Sequence, residues 1–60
     1  MNRIEQVRSL ISELEPDMDK FYEKGNKAAG TRARKTLQEI KKVSQEIRLE
    51  IQDMKNSGQV

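Results

Sequence analysis

Phe21-Tyr22-Glu23-Lys24-Gly25-Asn26-Lys27-Ala28-Ala29 decides the fold, because it stops one helix and starts another with almost nothing between them. Gly25 follows a helical pattern and suits the position just past a helix end, where the backbone turns to positive φ. Lys20 and Lys24 fall in the last turn, where cations face the negative end of the helix dipole. Asn26 is a preferred N-cap, and Lys27-Ala28-Ala29 are good helix formers. Gly30-Thr31 offers a later start, but the earlier one is expected. So short a connection predicts an antiparallel hairpin.

Upstream of the turn, Ile4, Val7, Ile11, Leu14, Met18 and Phe21 are spaced by three and four residues. That is a heptad seam, and it predicts a helix over about 2–24. Asn2 is the expected N-cap, with Glu5 three residues on as in a capping box. Leu10 and Tyr22 widen the stripe. Pro16 removes a backbone donor inside this helix and predicts a kink, with a split after Leu14 as the alternative. Downstream, Ala33, Leu37, Ile40, Ser44, Ile47, Ile51 and Met54 repeat the spacing and predict a helix over about 27–55, followed by a short tail over 56–60. Ser44 is a polar gap in that row. Met1 is read as an initiator, Met18 and Met54 as core fillers.

These elements make one all-α domain over 1–60. Two helices side by side leave part of each stripe bare, at Leu10, Tyr22, Val43 and Leu49. The expected remedy is self-association into a coiled coil or four-helix bundle, a dimer first and a tetramer as the alternative. The core and oligomer residues are then Ile4, Val7, Ile11, Leu14, Met18, Phe21, Leu37, Ile40, Ile47, Ile51 and Met54. A 60-residue chain without Cys has no disulfide to brace it. Without His or Cys it also lacks the usual general base and the usual metal ligands. Glu13, Glu15, Asp17 and Asp19 are spread around the helix by their spacing of two. Ser9, Ser12 and Ser44 have no base partner. No catalysis, metal, cofactor or small-molecule substrate is expected. No apolar run reaches the ~20 residues of a membrane span, and the first residues lack the apolar core of a signal peptide. The expected location is the cytoplasm.

The net charge of +2 conceals an asymmetry. Residues 1–19 set two arginines against five acids, a net −3. Residues 20–42 set eight cations against two acids, a net +6. The rest is −1. On a helical wheel Lys27, Arg34 and Lys41 lie within about 40° of one another, with Lys35 and Lys42 beside them. This stripe is centred roughly 145° from the seam, so it points away from the core. Cations around a helix N-terminus, among small residues, suit phosphate. The candidate nucleic-acid contacts are Lys24, Lys27, Arg32, Arg34, Lys35, Lys41 and Lys42. Such contacts bind without reading sequence. No aromatic alternates with the cations, which argues against stacking on single strands. A plain solvated helix face is the competing reading of the stripe.

The run Glu23-Lys24-Gly25-Asn26-Lys27-Ala28-Ala29-Gly30-Thr31-Arg32-Ala33-Arg34-Lys35 resembles the core of the bacterial linker-histone-like proteins, best known from chlamydiae. The likeness extends loosely through Leu37 and Ile40. It implies a nucleoid-associated protein that binds and compacts double-stranded DNA with little sequence preference, RNA being an alternative. It also implies that Lys27, Arg32, Arg34 and Lys35 touch the nucleic acid. Chlamydial relatives carry a long Lys- and Ala-rich tail, whereas this chain stops at Ser57-Gly58-Gln59-Val60, so the likeness is to a short, tailless member. A coiled-coil assembly module with no nucleic-acid role is the reading from another class. A membrane-surface helix is disfavoured, because the apolar stripe lies opposite the cations and is needed for packing.

Overall fold

A computed structural model describes residues 2–59, with Met1 and Val60 outside the described residues. Two helices, α1 (Arg3–Lys24) and α2 (Lys27–Asn56), form an antiparallel hairpin 49 Å long, and no strand occurs among the described residues. The ends form as their residues dictate. Asn2 caps α1 by accepting the Glu5 N–H at 2.8 Å. Gly25 takes the left-handed conformation at φ 64°, and its N–H donates to the Phe21 carbonyl at 3.0 Å. Asn26 then caps α2, accepting the Ala29 N–H at 3.0 Å. Pro16 is accommodated inside α1, which runs through it as one helix, so the split after Leu14 does not occur. The second helix continues one residue past its expected end, to Asn56.

The buried core is small: Leu10, Leu14, Ala29, Ala33 and Val43. Val7, Met18, Ile40 and Ile47 are half-buried beside them. This corrects the expectation that Leu10 and Val43 stay bare. Tyr22 and Leu49 are exposed, as expected, but so are Ile4, Ile11, Phe21, Leu37, Ile51 and Met54 of the seam. The packed line is therefore Arg3, Val7, Leu10, Leu14 and Asp17 on α1, against Ala29, Ala33, Thr36, Ile40, Val43 and Ile47 on α2. It shares Val7, Leu14, Ala33, Ile40 and Ile47 with the seam and takes the opposite flank for the rest.

The physical reason is that the stripe is wider than a two-helix contact can cover, so one flank must lose. Near a two-residue turn the helices need small residues between them, and Ala29, Gly30 and Ala33 supply them. A Cβ on Gly30 would lie 2.6 Å from Cδ1 of Phe21, so the ring lies directly on the glycine backbone. The chosen flank also lets charges pair. Arg3 bridges to Glu46 at 3.2 Å and to Glu50, and Arg32 donates to Asp17 at 3.1 Å. The hydrogen bond from Arg3 holds the Glu50 carboxyl below its ordinary pKa and raises that of Arg3.

The hairpin thus has two unlike edges. Successive residues on a helix are turned by about 100°, and the two helices run in opposite senses. Positions one step after the packed line on both helices therefore face the same side. One edge carries Ile4, Ile11, Met18, Leu37 and Ile51, and its side chains meet near the turn, where Met18, Tyr22 and Leu37 line one cleft. The other edge is polar, with Gln6, Glu39, Lys42 and Glu46 around one depression and the Arg3 and Arg32 ion pairs along it.

The Gly30–Phe21 contact can be tested by a mutant cycle read from thermal melts. Ala is the better helix former by about 1 kcal/mol. Gly30→Ala should nevertheless lower the Tm, because the ring must leave its seat. In a Phe21→Ala background the same change should raise it. A rise in both backgrounds would show that the ring is not held against Gly30.

Candidate nucleic-acid interface

The interface is built on α2, whose outward surface is laid out in stripes by the heptad spacing. Lys27, Arg34 and Lys41 recur every seven residues, and the interval continues to Arg48 and Lys55. A step of seven residues is nearly two turns, so these five side chains stand in one row, about 10 Å apart and about 42 Å long. Lys24, Lys27, Arg32, Arg34, Lys35, Lys41 and Lys42 are all exposed. They do not form a single patch.

What separates them is the neighbourhood of acids. On a helix the lateral neighbours are three and four residues away. For Arg34 they are Gly30, Thr31, Leu37 and Gln38. For Lys41 they are Leu37, Gln38, Ser44 and Gln45, and for Arg48 they are Ser44, Gln45, Ile51 and Gln52. None is acidic. Beyond the row lies a second line, Thr31, Gln38, Gln45 and Gln52, of uncharged groups that donate and accept hydrogen bonds. Arg34, Lys35, Gln38 and Lys41 line one shallow depression, and Arg48, Gln52 and Lys55 another.

Three of the other candidates have acids close by. Lys35 has Glu39 four residues on, and Lys42 lies between Glu39 and Glu46. Arg32 is engaged with Asp17, whose side chain is mostly covered. Among the described residues, no ion pair involves Lys27, Arg34, Lys41, Arg48 or Lys55. The structure therefore sets Arg34, Lys41 and Lys27 apart from Arg32, which is paired, while Lys35 and Lys42 differ from them by the acids three or four residues away on the same helix. It adds Arg48 and Lys55, which the charge blocks concealed because the last third of the chain is net acidic. Counting by sevens from Lys27 would have found both.

The start of α2 is less open to an anion than its sequence suggests. Asn26 Oδ1 occupies the Ala29 N–H, and the Gly30 N–H bonds to the Asn26 carbonyl at 3.2 Å. Beside it, Met18, Phe21, Tyr22, Gly30, Ala33 and Leu37 floor a half-open cleft of about 420 Å³, with Lys27 and Arg34 at its rim. Phe21 and Tyr22 meet edge to face, with ring centroids 5.3 Å apart. No helix is long and apolar enough to cross a membrane, and no three metal-ligating side chains converge among the described residues.

No curated protein and no solved structure matches the chain. A family model does, over residues 1–57, which takes in both helices, the turn and the full basic row. That model describes the histone H1-like protein Hc1, and with nearly the whole chain matched, this protein belongs to the histone H1-like Hc1 family.

Proposed function

We propose that this protein is an architectural, nucleoid-associated DNA-binding protein without enzymatic activity. It would hold double-stranded DNA through phosphate contacts from α2 and act as a dimer or larger helical bundle in the cytoplasm. The observation that carries this reading is the row of five cations with no acid beside it. A solvated helix face intersperses both signs, as the polar edge of this hairpin does. A one-signed row about 42 Å long presents several charges to a polyanion at once, and flanking glutamines can bond to phosphate or sugar. Membership of a histone H1-like family supports the same reading.

The test is binding to unrelated duplexes across a salt series, with oligomer mass measured in parallel. All duplexes should bind alike. The logarithm of affinity should fall with that of salt at a slope near −0.9 for each phosphate neutralised, hence about −4.5 for the five cations of one row. A folded protein that leaves DNA free at low salt would sink this reading. It would favour the second one, a coiled-coil assembly module, to which the exposed Ile4, Ile11, Leu37 and Ile51 independently point.

A further inference from the structure

The end of the hairpin nearest the turn combines features that the sequence keeps apart. Along the chain no aromatic alternates with the cations, yet the fold brings Phe21 and Tyr22 of α1 into one cleft with Lys27 and Arg34 of α2. Tyr22 is 74% exposed, the barest large apolar side chain among the described residues. Neither Lys27 nor Arg34 forms an ion pair among those residues. An exposed aromatic ring beside unpaired cations is the arrangement that holds single strands, the ring taking a base and the cations the backbone. We infer that this cleft is a second nucleic-acid site, which takes an unpaired base of a single strand.

Size, ring geometry and charge select this occupant. At about 420 Å³ the half-open cleft has the dimensions of a small-ligand pocket and is too small for a duplex. The planes of Phe21 and Tyr22 stand 81° apart. A base lying parallel to the Tyr22 ring is therefore nearly perpendicular to Phe21. It can stack on the first and meet the second edge to face, the two arrangements that aromatic pairs prefer. Phe21 is seated on the backbone of Gly30, so the corner exists before any ligand arrives. An acyl chain would use the apolar floor but not this corner. The cations lie where a strand must pass. Lys27 and Arg34 stand at the rim, and Arg34 and Leu37 also border the shallow depression that runs on to Gln38 and Lys41. A strand with one base in the cleft can lay its next phosphates there.

The site discriminates by pairing rather than by sequence. Every base has a π-face, so all four can stack on Tyr22. A base inside an intact duplex is already stacked on its neighbours and cannot enter. The cleft therefore adds to the phosphate contacts of α2 a preference for nucleotides left unpaired. Its aromatic corner comes from α1 and is not needed for holding a duplex on the cation row, so the two activities are separable.

Tyr22 is the one tyrosine of a chain without tryptophan, so its fluorescence reports on the cleft directly. A single-stranded thymidine oligonucleotide should quench that emission. An abasic strand with the same number of phosphates should bind without quenching. Tyr22→Leu, with helicity and oligomer mass checked, should weaken single-strand binding about 5- to 150-fold, the worth of one base–aromatic stack, and leave duplex affinity as it is. Tyr22→Phe should keep single-strand binding near that of wild type. Equal quenching by the abasic strand would overturn the site. So would a Tyr22→Leu protein that binds single strands unchanged, or that loses duplex binding to the same extent. Emission that responds to protein concentration but not to the strand would also overturn it, and would give the cleft to a second copy. Failure of wild type to bind duplexes, while the thymidine strand still quenches, would instead overturn the proposed function and leave this site standing.

Discussion

Leu14→Ala should melt this hairpin at temperatures where the parent is folded. Leu14 is 9% exposed and belongs to a buried core whose larger side chains, among the described residues, are two leucines and a valine beside two alanines. Truncating a buried leucine to alanine costs about 2–5 kcal/mol. The whole stability expected of a 60-residue domain is of the order of 3–9 kcal/mol. At about 4–8 °C per kcal/mol for domains of this size, the Tm should drop by at least ~8 °C, followed by far-UV circular dichroism at fixed protein concentration. Leu49→Ala is the control. Leu49 is 57% exposed and lies off the packed line, so its removal should stay within about 0.5 kcal/mol. Equal losses for the two would mean that the helices pack on another face.

The second large effect concerns charge. Arg34→Gln with Lys41→Gln removes two members of the acid-free row and leaves the packed line untouched. Each lost phosphate contact should flatten the salt slope by about 0.9, so the pair should flatten it by nearly two and weaken binding roughly 50-fold at 0.1 M salt. Lys35→Gln with Lys42→Gln makes the same change in net charge. It should cost several-fold less, because Glu39 and Glu46 already offset those two lysines. Both pairs should act on every sequence alike. Equal losses would show that net charge alone matters and that the row has no special standing.

The contrast between these pairs shows where sequence reasoning stopped. Composition located the positive charge between residues 20 and 42, and the helical wheel turned Lys27, Arg34 and Lys41 outward. Both readings are local, since they need only the helix period. The wheel turns Arg32 about 200° from Arg34, but neither reading shows that Arg32 is paired and Arg34 is not. That distinction depends on Asp17, fifteen residues earlier and on the other helix, which only the packing brings to 3.1 Å. Arg48 and Lys55 were within reach of the sequence, but block averaging over a mixed segment hid a period of seven.

By itself the sequence determined the elements and their ends. Gly25 must follow a helix because it alone turns left-handed there without strain, and Asn2 and Asn26 must precede helices because their side chains replace the missing acceptors. Those are interactions within four residues, so no partner is needed to read them. The antiparallel hairpin also follows, since a two-residue turn leaves no other course. Only the tertiary structure decided which flank of the apolar stripe would be buried. Both flanks offered Ile, Leu or Val at the same spacing, so hydrophobicity could not choose between them. The choice fell to three groups of atoms far apart in sequence: Phe21 on the bare backbone of Gly30, Asp17 on Arg32, and Arg3 on Glu46 and Glu50. Leu10 and Val43 were drawn inside by that choice, and Ile11 and Leu37 were left facing out.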